Sequence, residues 1–115
     1  MPKGDQLYLG HMLDVSIQAI EKIKGKSREN FETDDNLRLA LTHLIQMIGE
    51  AARRVSPESK QRYPQIPWSD VIGMRHKLVH DYLDVDFDVV WEVVTSDLPE
   101  LISQLSPIVP PLPSP

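Results

Sequence analysis

The chain has 115 residues, 41% hydrophobic and 25% charged, with no cysteine and a formal net charge of −5. That length and balance describe one soluble domain with a modest core, and they exclude disulfides and thiolate metal sites. No apolar run approaches the roughly 20 residues of a membrane span, and the N-terminus lacks a signal-peptide core. Membrane association is therefore not expected, and the absence of cysteine fits a reducing cytoplasm. The acidic balance argues against a broad nucleic-acid surface and leaves room for a small site that handles one phosphate.

Helical periodicity covers most of the chain, with no strand-like alternation and no internal repeat. Leu9, Leu13, Ile17 and Ile20 recur every three or four residues, and the first helix should stop near Gly25. Residues 26–32 read as a polar connector with one short helical turn. Thr33 offers an N-cap, with Asp34 and Asp35 in the first turn. Leu37, Leu41, Leu44, Ile45, Ile48, Ala52 and Val55 then trace the clearest apolar face. Gly49 interrupts that helix at about 1 kcal/mol relative to alanine, which close approach of a second helix would explain. Glu50 lies opposite the stripe, toward water or a second subunit.

Residues 56–67 contain Pro57, Pro64 and Pro67 and read as a connector with a short helix over residues 58–62. A helix should follow from Trp68 to His80 or Tyr82, with Pro67 at its start. Asp86 can cap the next helix, with Val85 and Val90 as its hydrophobic staple. Val90, Trp91, Val94, Leu98, Leu101 and Leu105 carry the last stripe, kinked or restarted at Pro99. Five of the last nine residues are proline. The expected organisation is an all-α domain over residues 1–106, an up-and-down bundle of four to five helices, followed by an extended or disordered tail over 107–115.

Chemistry concentrates in Met74-Arg75-His76-Lys77-Leu78-Val79-His80-Asp81-Tyr82. At about 100° per residue, Trp68, Val71, Ile72, Leu78, Val79 and Tyr82 fall within about 60° of Arg75. A continuous helix thus puts Arg75 in the apolar stripe, where an unpaired cation costs several kcal/mol. Either the arginine serves a site, or it is a buried ion pair, for which Glu50 and Asp70 are the candidate partners. His76 and His80 share a face offset from Arg75 by roughly 100–140°. Arg75 and His80 then meet only if long side chains converge over the helix edge or two copies face each other across a twofold axis. His76 and His80 have metal-ligand spacing, but two ligands are too few, and His76 reads better as a solvated or hydrogen-bonding residue. His80 could equally cap a helix C-terminus. Asp84-Val85-Asp86 has the look of a paired-carboxylate metal site, but no glycine-serine loop precedes it and capping by Asp86 explains it better.

Arg75, four residues, His80, one residue, Tyr82 resembles the R-x-x-x-x-H-x-Y signature of the HepT-like toxins of the HEPN superfamily. Ile48-Gly49-Glu50-Ala51-Ala52, Tyr63-Pro64-Gln65-Ile66-Pro67-Trp68, Ile72-Gly73-Met74-Arg75, Val89-Val90-Trp91 and Asp97-Leu98-Pro99 resemble that family in order and spacing, over about residues 5–106. The resemblance implies a homodimeric bundle with the motifs facing across a cleft. It implies an endoribonuclease that needs no metal or other cofactor, with Arg75 and His80 catalytic; His76, beside them in the sequence, could serve as an auxiliary proton carrier or phosphate ligand. It also implies a cognate MntA-like nucleotidyltransferase antitoxin that attaches AMP to Tyr82. The chain departs from the family at His76, where asparagine is frequent, and at Asp81, where glycine is frequent. The first adds a titratable group and the second a negative charge beside the RNA site. A different class of function stays open: a dimeric binding partner of the nucleotidyltransferase that cleaves nothing.

Overall fold

The computed structural model describes residues 2–81 and 84–109. Two long helices, α1 (Lys3–Ile23) and α3 (Asp35–Arg54), form its spine, with α1 lying against both α3 and the C-terminal helix α8 (Leu98–Leu105). Between them are α2 (Arg28–Glu32), α4 (Pro57–Arg62), α5 (Trp68–Ile72), α6 (Met74–Leu78) and α7 (Phe87–Glu92), with a π-helical segment over Val93–Asp97. The all-α class holds. Among the described residues no helix is long and apolar enough to cross a membrane.

The stripes read from sequence on α3 and at the C-terminus become the core, whereas on α1 the inward face is Leu9, Met12, Val15 and Ala19, with Leu13 and Ile20 half-buried and Ile17 exposed. Leu9, Leu41, Ile45, Ile48, Leu98 and Leu105 are almost wholly buried, as amphipathic faces demand when they turn from water. Gly25 takes φ +75°, the left-handed conformation glycine tolerates, and the chain turns there after α1. In the polar connector that follows, a Ser27–Asn30 capping box starts α2. Phe31 is fully buried there, with its ring 5.0 Å from that of Trp91 and 6.4 Å from that of Phe87. The connector is therefore fastened to α7 by aromatic packing.

Three expectations need correction. The N-cap of α3 is Asp34, which accepts from the Leu37 N–H at 3.0 Å; Thr33 instead closes α2, its hydroxyl donating to the Glu29 and Asn30 carbonyls. Pro67 stands at the start of α5 as its N-cap residue, with the helix beginning at Trp68 as expected. The helix expected from Trp68 to His80 or Tyr82 breaks at Gly73 and ends at Leu78. Beyond it lies a short antiparallel ribbon, β1 (Val79–Asp81) and β2 (Asp84–Val85), where no strand was expected.

The restart at Pro99 takes the form of the π segment. Proline lacks an N–H and its ring excludes the carbonyl four residues back, so the ladder widens ahead of it, and the Leu98 N–H reaches Val93. Of the proline-rich tail, Ile108 and Val109 pack half-buried against the core; residues 110–115 lie outside the described residues.

A buried polar clamp ties the N-terminus to α4. Asp5, 2% exposed, accepts from the Ser56 N–H at 3.0 Å and from the Ser56 hydroxyl at 2.6 Å, and the Ser59 hydroxyl completes the set. Ser56 also caps α4 by accepting from the Ser59 N–H.

Candidate active site

The motif is held from upstream by a folded loop rather than by one long helix. Ile66 is buried, and the Trp68 indole N–H donates to the Tyr63 carbonyl at 3.0 Å. Val71 of α5 then packs inward, close enough to α3 that a Cβ on Gly49 would stand 3.1 Å from the Val71 carbonyl. The mid-helix glycine is thus explained by close backbone approach, as its position in the sequence implies.

Gly73 separates α5 from α6, and a Cβ there would meet the Ser69 carbonyl at 3.0 Å. In the new helix the inward positions are Met74 and Leu78, four residues apart. The three residues between them, Arg75, His76 and Lys77, are exposed. Arg75 is therefore a surface cation, not a buried one, and neither proposed partner neutralises it. Glu50 instead accepts from Arg53 at 2.9 Å and Arg54 at 3.2 Å, which hold its carboxyl below the usual range. Asp70 has no ion pair with Arg75 among the described residues.

Arg75 and His80 do not share one straight helix, so their angular offset does not call for a second copy. Arg75 lies on α6 and the backbone of His80 lies in β1. Val79 pairs with Val85, Asp81 pairs with Asp84 with a register irregularity between the two pairs, and the Asp86 N–H donates to the Leu78 carbonyl at 2.7 Å. Asp86 then starts α7 by accepting from the Val89 N–H at 3.2 Å, the capping role read from its position. Tyr82 lies outside the described residues. The geometry brings Arg75 and His76 together on one exposed turn, with β1 following directly. Among the described residues no group of three or more histidines, aspartates or glutamates is placed to hold a metal ion.

Comparison with known proteins gives this constellation its relatives. The family described as ribonuclease HepT-like matches residues 13–108. The chain is 35% identical over 106 residues to "Putative RNase TTE0752" of Caldanaerobacter subterraneus subsp. tengcongensis, covering 92% of this chain and 95% of that one. It is 31% identical over 110 residues to "Putative RNase MJ1216" of Methanocaldococcus jannaschii, covering 95% and 91%. With "Probable ribonuclease HepT" of Thermococcus cleftensis it shares 36% over 88 residues, covering 73% and 80%. No solved structure matches the chain. On sequence and on its all-helical fold, the chain belongs to the HepT-like ribonuclease family of the HEPN superfamily.

Proposed function

We propose that this protein is the toxin of a HEPN–nucleotidyltransferase toxin–antitoxin pair, an endoribonuclease that cuts RNA without a metal. The observation that carries the reading is the exposed Arg75–His76 turn leading into the strand of His80, in a chain of a ribonuclease family. The ribose 2′-oxygen attacks the adjacent phosphorus, the bond to the 5′-oxygen breaks, and a 2′,3′-cyclic phosphate and a 5′-hydroxyl remain. His80 takes the 2′-hydroxyl proton or supplies one to the leaving oxygen, work suited to an imidazole that titrates at about 6.5. Arg75 steadies charge on the phosphoryl oxygens through its fork of donors. His76, one residue along the same turn, is the auxiliary proton carrier or phosphate ligand.

The working unit is a homodimer in the cytoplasm, built on the helical domain of residues 1–106 with the proline-rich 107–115 as its tail. The cognate MntA-like nucleotidyltransferase neutralises it by joining AMP to Tyr82, placing an anionic phosphate where the RNA phosphate would go. The test is RNA degradation by the wild type, Arg75→Ala and His80→Ala. Loss of at least a hundredfold in both variants is expected, within the range acid–base and oxyanion groups contribute; equal activity in all three overturns the assignment.

One observation favours the second reading, a binding partner that cleaves nothing. From His80 to the C-terminus the sequence has seven carboxylates and no lysine or arginine, a poor surround for RNA. Under that reading the wild type is inactive, while AMP is still added to Tyr82 on co-expression with the nucleotidyltransferase.

A further inference from the structure

Two carboxylates of the C-terminal third, Asp97 and Glu100, join Asp70 beside a concave surface. A groove of about 400 Å3 runs between α5, α6 and α8, within the size range of pockets that hold ligands. Its apolar lining comes from the exposed Pro67 and from Val71, Met74 and Leu101, which form the buried floor. Its charged lining is Asp70, Asp97 and Glu100, all exposed, and Lys77 offsets one of these three charges.

None of the three carboxylates has an ion-pair partner among the described residues. They also feel one another. Desolvation, then Glu92, with Glu100 and Asp70 adding to it and Lys77 opposing, raises the Asp97 carboxyl above its ordinary value. Carboxylates on a convex face would simply be solvated. Here they flank a hollow with an apolar floor, the complement of a side chain with an aliphatic stem and a cationic head. The same field repels the phosphates of a nucleic acid.

We propose that this groove docks an arginine- or lysine-bearing segment of a protein partner, with its stem over Val71, Met74 and Leu101 and its cation among Asp70, Asp97 and Glu100. Lys77, which lines the groove, follows Arg75 and His76 on the same five-residue helix. A docked partner therefore lies beside the turn assigned to RNA and hinders its access. The docking stands without the ribonuclease reading; only its effect on cleavage rests on it.

The probe is a short peptide with one arginine flanked by leucines, and its twin with neutral citrulline in that place. Binding to the full chain is followed by the methyl resonances of Met74 and Leu101. The arginine peptide is expected to shift both, to bind at least tenfold more tightly than its twin, and to weaken about tenfold with Asp97→Asn plus Glu100→Gln. Circular dichroism confirms that this double variant stays folded, and Met74→Ala, which removes part of the floor instead, is expected to weaken binding independently. Unmoved methyls, or equal binding of both peptides, overturns the proposal. So does an RNA oligonucleotide that shifts these methyls where the peptide does not. A self-association of the free chain that Asp97→Arg abolishes also overturns it, by giving the groove to a second copy. Cleavage by Asp97→Asn plus Glu100→Gln without peptide is expected to be no lower than wild type, since the charges removed repel RNA, so failure of docking and failure of the ribonuclease reading are told apart.

Discussion

Arg75 owes its position to a glycine two residues before it. Extended from Trp68 as a single helix, the periodicity puts this arginine in the apolar stripe. The break at Gly73 restarts the count, so that Met74 and Leu78 take the inward positions and Arg75 turns out to water. The candidate residues could be named from the sequence, since arginine and histidine stand where the resembled signature has them. Its exposure was not, because a helix break at a glycine is decided by what the backbone meets. Gly49 makes a sharper case, as its lack of a side chain is needed by another segment. In Gly49→Ala the helix-propensity gain of about 1 kcal/mol opposes a Cβ 3.1 Å from the Val71 carbonyl. That carbonyl belongs to a backbone anchored by a buried valine, so it cannot withdraw cheaply, and overpacking of this kind costs about 1–3 kcal/mol. A net loss of about 1 kcal/mol in urea unfolding is expected; a more stable Gly49→Ala would mean that α5 moves freely against α3.

At the scale of elements, the long helices were legible because amphipathic periodicity repeated over many turns outweighs any local ambiguity. Leu37, Leu41, Leu44, Ile45, Ile48, Ala52 and Val55, read as one face, are all buried. The ribbon after Leu78 was not legible. Its residues satisfy a helical pattern as well as a strand, and the choice rests on pairing between Val79 and Val85 and on the Asp86 N–H reaching Leu78, which no local count contains. Capping failed by one residue for a related reason: Thr33 and Asp34 are both good caps, and only geometry separates them. Their different duties give a direct check. Asp34→Ala should cost about 1 kcal/mol, the usual loss when an N-cap is removed. Thr33→Ala, which removes only exposed hydroxyl bonds at the end of α2, should stay within about 0.5 kcal/mol of wild type. Thermal unfolding of the two single variants measures this, and the reverse order would return the cap to Thr33.

For the molecule as a whole, two carboxylates tie stability to pH in opposite directions because their surroundings differ. Burial works to raise the Asp5 carboxyl, but bonds from the Ser56 and Ser59 side chains and the Ser56 N–H outweigh it and hold the group below its ordinary value of 3.8. Its folded pKa is depressed, so its contribution is fully present above the unfolded value and is lost as pH falls below about 4 through the folded one. Asp97 is raised, chiefly by desolvation and then by Glu92. Its charged form therefore weighs against folding at neutral pH, a penalty relieved as pH falls through the raised value and gone below the unfolded one. Asp97→Asn should accordingly unfold at a higher temperature than wild type at pH 7, with the difference shrinking toward pH 4. Asp5→Ala should lose about 2 kcal/mol at pH 7, because it strips the buried donors of Ser56 and Ser59 of their acceptor. Its stability should then fall less steeply than wild type below pH 4, since the group that loses its charge there is gone. Unfolding midpoints of the three proteins at pH 3, 5 and 7 decide the matter: an Asp5→Ala slope in acid as steep as wild type would show that the clamp is not what acid breaks, and an Asp97→Asn protein no more stable at pH 7 would show that solvent already screens the field around the groove.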